Sequence, residues 1–186
     1  MVRNYDPNRA VSSESIERIA AAAQRAPSAG FSQGQRLVVV TDPERRGRIA
    51  EICHEAEYVE AGFDPWVSRA PVIFIPCVSE SIYHARYREP DKLNDDGTEI
   101  DWPIPYWYVD IGCTVMLILL AAVDEGLAAG FLGTHRTGDL ASELGLPADQ
   151  QAVGVVTVGY PLPDRRSGSL KRGWVKQDDF IHWERW

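Results

Sequence analysis

The sequence predicts an α+β domain, one sheet flanked by helices, and three observations carry that expectation. Ile16, Ile19, Ala20 and Ala23 recur at i, i+3, i+4 and i+7 behind Ser12 and Ser13, the period of an amphipathic helix with a capping hydroxyl at its start. Leu37–Val40 and Pro71–Val78 are short apolar runs rich in β-branched residues, and Gln151–Tyr160 alternates, as strands do. Ile111–Val123 is apolar on nearly every side, which suits a helix covered all round. At 186 residues and 45% hydrophobic content, the chain has enough core for a single domain over residues 1–186.

Taken in order, the chain opens on Arg3-Asn4-Tyr5-Asp6-Pro7. The first helix runs from Ser12 or Ser13 to about Arg25 and stops at Pro27, whose ring opposes a continuing helix. The stretch Arg25-Ala26-Pro27-Ser28-Ala29-Gly30-Phe31-Ser32-Gln33-Gly34-Gln35-Arg36 then turns the chain into the first strand. It offers small side chains and several donors: Ser28, Ser32, Gln33 and the N–H groups around Ala29 and Gly30. Such a turn suits a flat ring with a polar rim, because small residues let a ligand press on the main chain. The same residues also suit a plain connecting loop. Asp42-Pro43 starts a second helix, Glu44–Tyr58, with Ile49, Ile52 and Cys53 inward and His54 at the surface.

Residues 79–106 are the least regular part. The polar Glu89–Gly97 gives way to Trp102-Pro103-Ile104-Pro105-Tyr106-Trp107-Tyr108. A long loop in a compact domain is usually functional, and Pro stiffens it. Its aromatics predict either the wall of a substrate cavity or a subunit contact, since both concentrate such rings.

Asp110 and Asp124 close the apolar helix at its two ends, and Gly126 ends it. One small domain rarely covers such a helix, so a second copy is expected to do so. The apolar run is shorter than the roughly 20 residues a bilayer span needs, and no membrane role is expected. Leu127–His135 reads as a Gly-rich strand. Asp139–Leu144 is a short helix ended by Gly145.

The tail changes character. Arg165, Arg166, Lys171, Arg172 and Lys176 come with no acid between Asp164 and Asp178, which predicts either a nearby anion or a solvated basic face. Two Trp in His182-Trp183-Glu184-Arg185-Trp186 are poorly placed in water, so residues 161–186 are expected to dock.

Composition excludes several function classes. A net charge of −8 opposes a general nucleic-acid surface. Cys53, Cys77 and Cys113 form no CxxC and no zinc spacing, so reduced thiols in the cytoplasm are expected and no metal site. There is no Ser/His/Asp arrangement, no P-loop and no GxGxxG after a strand.

Several of these stretches resemble the nitroreductase superfamily. Its flavin-binding turn reads Ala-Pro-Ser, two variable residues, Asn, one residue, Gln; Pro27, Ser28 and Gln33 fit, and Phe31 stands where Asn is usual. Arg3 and Tyr5 match the second half of the family's N-terminal Arg-Arg-Ser-x-Arg-x-Phe/Tyr. The first half would precede Met1, so the N-terminus reads as shortened. Leu132 and Gly133 match a second flavin-facing turn. Gly159-Tyr160-Pro161 and the aromatic tail are also similar.

The resemblance implies a central mixed or antiparallel sheet flanked by helices, with the long buried helix at the core of a homodimer. It implies FMN at the subunit interface, with a deazaflavin as the alternative. Pro27, Ser28, Ala29, Gly30 and Gln33 would hold its rim, Arg3 its pyrimidine edge, Leu132 and Gly133 its central ring, and Arg172 its phosphate. Phe31, Trp102, Tyr106 and Trp107 would line the substrate pocket. No side chain need be catalytic, because the flavin carries the chemistry. The implied activity is hydride transfer from NAD(P)H through FMN to an electron-poor acceptor, nitroaromatic or quinone, by a ping-pong route. The alternatives are a flavin-sequestering protein without turnover, or a relative with other flavin chemistry such as dehalogenation, dehydrogenation or flavin breakdown.

Overall fold

The computed structural model describes residues 1–186. Five strands make one antiparallel sheet: β1 (Gln35–Val40), β2 (Val72–Val78), β3 (Ala128–Leu132), the two-residue β4 (Gln151–Ala152) and β5 (Val155–Gly159). Their order is β1-β2-β5-β3, with β4 paired to β2. Every residue of β2 is buried, as a strand covered on both faces requires. Phe74 of β2 lies between Val39 of β1 and Val156 of β5, and Val155 faces Leu132 of β3. By this register, the start of β1 and the end of β3 leave the same end of the sheet.

Alternation along β2 divides the core. Ile73, Ile75 and Cys77 point into a cluster with Ile49, Trp66 and Leu140. These three come from α2 (Pro43–Ile52), α4 (Trp66–Arg69) and α7 (Thr137–Leu144). Val72 and Phe74 point the other way, toward Ile19 and Ile118, supplied by α1 (Ser13–Ala23) and α6 (Tyr106–Asp124). Burying a side chain of this size stabilises the fold by about 1.5–3 kcal/mol.

Helix ends follow local chemistry. The Ser12 hydroxyl accepts the Ser15 N–H, and α1 ends at Ala23, earlier than expected. Asp42 caps α2, with Pro43 in its first turn. The single helix expected over Glu44–Tyr58 is instead two, α2 and α3 (Glu55–Glu60), because His54 turns left-handed at φ 55°. A short α5 (Glu80–Tyr87) follows β2, and a one-turn α8 (Gln177–Phe180) lies in the tail.

The helix expected from Asp110 begins four residues earlier, at Tyr106. By length and composition alone it could cross a membrane; Ile111, Val115, Ile118 and Ala122 instead fill the core. Its other face, carrying Val109, Met116, Leu120 and Val123, is exposed.

The N-terminal segment lies along β3. The Val2 N–H donates to Ala129 O at 3.0 Å. The buried Tyr5 hydroxyl reaches Thr157 Oγ1 at 2.9 Å, which fixes Arg3 beside the β3 edge.

Candidate functional site

The turn before β1 is built on unusual backbone. Gly30, Phe31 and Gln33 have φ of 58°, 56° and 53°, the left-handed region that large side chains avoid. Within it, Ser28 O accepts the Phe31 N–H at 2.9 Å and Ala29 O accepts the Ser32 N–H at 3.0 Å. Ser28 Oγ accepts the Gln33 N–H at 2.9 Å.

Three residues of α5 and one of α6 brace the turn from behind. The Ala29 N–H donates to Asp110 Oδ2 at 2.8 Å. The Tyr83 hydroxyl donates to the same oxygen at 2.9 Å; burial and this carboxylate together push the Tyr83 pKa far up. Arg86 Nε donates to Gly30 O at 3.0 Å. The space a Gly30 side chain would take is filled by Tyr87, whose ring carbon stands 2.7 Å from the ideal Cβ position. Gly30 is therefore small to admit Tyr87, rather than to admit a ligand there.

Some groups of the turn remain unpaired. The Gly30 N–H and the Gln33 carboxamide have no partner in the chain, and the Ser28 hydroxyl keeps its proton to donate. Phe31 is 75% exposed. Phe31 and Gln33 border a groove of about 810 Å³ whose other walls include Gln24 and Arg25, just past α1, and Leu37 of β1. The groove can receive a planar ligand against Phe31 and the Gln33 carboxamide; Ser28 and Gly30 do not line it.

A second group of expected residues assembles at the opposite sheet edge. Arg3 sits with its guanidinium 5.9 Å from the Trp66 ring and forms no ion pair with a carboxylate, so its charge is available. Leu132 ends β3, and Gly133 follows it exposed, with nothing within 4 Å of a side-chain position. Strands β2 and β5 separate this group from the first turn, a spacing of roughly 14 Å at ~4.8 Å per strand.

Arg172 lies exposed at the end of the Gly168–Arg172 turn in the tail. Arg165 is committed elsewhere: its Nη1 donates to Ala61 O and Gly62 O at 3.0 Å each, at the end of α3, where a cation is favoured.

The aromatic segment packs as one body. Trp102 meets Tyr87 at 4.6 Å, Trp107 at 5.5 Å and Tyr106 at 6.5 Å between ring centres. The Trp102 Nε1–H donates to Glu99 Oε1 at 2.7 Å. His84 is paired with the same Glu99 and with Glu80 at 3.3 Å. The hydrogen bond to Glu99 leads the effects that raise the His84 pKa, against partial burial. Trp107 borders a separate hollow of about 420 Å³ with His84 and Gln151, so within one chain it does not share a cavity with Phe31.

Sequence reasoning missed Asp110, Arg86 and Tyr87. Asp110 read as the charge that ends an apolar run, yet it lies in the second turn of α6 and is 6% exposed. Pro105, immediately before Tyr106 and five residues before Asp110, was the available clue to the helix start.

Comparison with known proteins gives this geometry a context. The chain is 28% identical over 189 residues to a protein of Archaeoglobus fulgidus provisionally named NADH dehydrogenase/NAD(P)H nitroreductase, covering 100% of this chain and 92% of that one. It is 27% identical to the FMN reductase [NAD(P)H] of Bacillus subtilis, covering 98% of this chain and 69% of that one. The solved structure of B. megaterium NfrA2 shares the fold, with a TM-score of 0.76 at 21% identity over 100% of this chain and 70% of that chain. A profile of the Nitroreductase family matches residues 1–160. The α+β fold and this match agree: the chain belongs to the nitroreductase family.

Proposed function

We propose that the protein is an NAD(P)H-dependent FMN oxidoreductase that works as a homodimer on electron-poor acceptors, nitroaromatics or quinones. The observation that carries the proposal is the division of the unpaired groups. Gly30 N–H, Ser28 and Gln33 stand at one edge of the sheet and Gly133 at the other, both at the same end, with Arg3 on the Gly133 edge beside Ala129. Neither set alone surrounds a ring. One set from each of two protomers does, and the family membership favours FMN as the ring.

Two further features support the second copy. The outer face of α6 exposes Val109, Met116, Leu120 and Val123, a stripe that water does not favour. Residues 161–186 expose Trp174, Phe180, Trp183 and Trp186, which suits an arm that docks on a partner. The three free cysteines fit a reducing compartment such as the cytoplasm.

Bound in this cleft, FMN supplies the two-electron relay between NAD(P)H and acceptor. The chain supplies the rest. Arg3 offers positive charge where negative charge would build up, and oriented N–H groups at Gly30 and Gly133 hold the rim. Arg172 from the tail would add a cation for the phosphate. Phe31 and the Trp102–Tyr106–Trp107 cluster bound the space where nicotinamide and acceptor alternate.

The visible spectrum of purified protein before and after FMN addition tests cofactor binding. Anaerobic mixing with NADH or NADPH then tests turnover: bleaching of bound flavin is expected. Parallel double-reciprocal lines are expected for two substrates sharing one space, and intersecting lines would contradict it. Flavin sequestration without turnover is the second reading. It is favoured by Phe31, an exposed ring at the rim of the groove that could bar nicotinamide, and it requires bound flavin to stay oxidised in the same mixing experiment.

A further inference from the structure

Two neighbouring residues of α5 each touch Gly30 on one side and the irregular 89–102 segment on the other. Arg86 Nε donates to Gly30 O at 3.0 Å. The same guanidinium grips Asp91 with both terminal nitrogens, at 2.7 Å each, and Glu89 at 2.9 Å. Tyr87 fills the space beneath Gly30 and carries Trp102 at 4.6 Å on its ring, with Lys92 Nζ at 5.8 Å.

We propose that Arg86 is a positioning residue that couples the 89–102 segment to the flavin-binding turn. It rests on the reading above, in which residues 27–33 hold FMN and the segment borders the acceptor space. The chemistry of the guanidinium supplies the coupling. It is planar, so a two-pronged grip on Asp91 fixes the plane and thereby the direction of Nε. That direction meets Gly30 O, the carbonyl between two left-handed residues. Gly30 and Phe31 hold a backbone shape that Phe disfavours, and the anchors at Ala29 N–H and Gly30 O keep it there. Movement of Asp91 turns the fork, and the turn loses one of its two anchors. An acceptor that shifts the segment would alter the grip on FMN without touching it.

Asp91 is exposed, so Asp91→Asn leaves the core intact and serves as the remote probe. Arg86→Gln removes the fork, and Arg86→Lys keeps the charge without the fork. Amide hydrogen exchange at Phe31 and Ser32 is measured in the flavin-free protein, and FMN dissociation constants by quenching of flavin fluorescence.

Arg86→Gln is expected to speed exchange at both amides and to weaken FMN about tenfold, the worth of a charge-assisted hydrogen bond. Asp91→Asn is expected to do the same about threefold and to add nothing in the Arg86→Gln background, since both act through one contact. Arg86→Lys should fall close to Gln, because a point charge cannot aim two ways. Unchanged exchange in Asp91→Asn and Arg86→Gln overturns the coupling, as does full additivity of the two. Wild-type protein that fails to bind FMN overturns the functional reading instead, and exchange at the turn still decides the coupling.

Discussion

Asp110 Oδ2 accepts the Ala29 N–H at 2.8 Å across 81 positions of sequence, and the Tyr83 hydroxyl meets the same oxygen. One buried carboxylate thus ties the turn before β1 to two helices. Removing it leaves a backbone donor and a phenol without partners in the interior. Asp110→Ala is expected to lower the unfolding free energy by about 2–4 kcal/mol, and Asp110→Asn by less, because one acceptor oxygen remains. Urea denaturation of the flavin-free protein measures both; wild-type stability in Asp110→Ala would contradict the role.

Phe31 carries its left-handed backbone for no packing gain in a single chain, being mostly exposed. Asn tolerates that conformation, since its short polar side chain bonds locally. Phe31→Asn is expected to stabilise the flavin-free protein by about 0.5–1 kcal/mol. A midpoint in urea at or below wild type would show that the ring makes contacts that offset the strain.

Much of this arrangement could be read from residues alone, and the misses have physical causes. Helix α1 and strands β1 and β2 announce themselves through local period and apolar runs, because burial on one or both faces dictates them. The break at His54 carries no Gly or Pro to mark it, so two short helices read as one. Pro27, Ser28 and Gln33 were visible as a turn. What braces the turn was not: Asp110, Arg86 and Tyr87 meet it only after the chain has passed through β1 and β2, and no local pattern encodes such a meeting.

His84 gives a pH dependence with a definite sign. Glu99, itself joined to Arg88 at 2.8 Å, and Glu80 face its ring nitrogens, and Trp102 and Trp107 flank the ring. Its folded pKa is raised, so the folded state favours the protonated form. The resulting stabilisation is complete below the unfolded value of about 6.5 and is lost as pH climbs through the raised folded value. The melting temperature of wild type should therefore exceed that of His84→Gln most near pH ~6 and converge with it in alkaline buffer. A gap that widens with pH would reverse the assignment.

The open face of α6 predicts how assembly and thiol reactivity move together. Burial pushes the Cys53 and Cys77 thiols up to about 11, and neither should react at neutral pH. Cys113 is half-buried and lies on the stripe with Met116, Leu120 and Val123. Leu120→Arg places a charge in that stripe. Sedimentation should show monomers, a disulfide-exchange reagent should then modify Cys113 alone, and FMN binding should fall with the dimer. A monomeric variant that binds FMN as wild type does would place the whole site within one chain.

The split of unpaired groups between opposite sheet edges has a genetic consequence. If every cleft borrows Arg3 from one copy and the Ser28–Gln33 turn from the other, two inactive variants can rescue each other. A chain lacking Arg3 still offers a sound turn, and a chain with a ruined turn still offers a sound Arg3. Co-expressed, half of their random pairings are mixed, and each mixed pair regenerates one intact cleft of two, roughly a quarter of wild-type turnover. Two defective alleles would together restore a phenotype that neither carries alone.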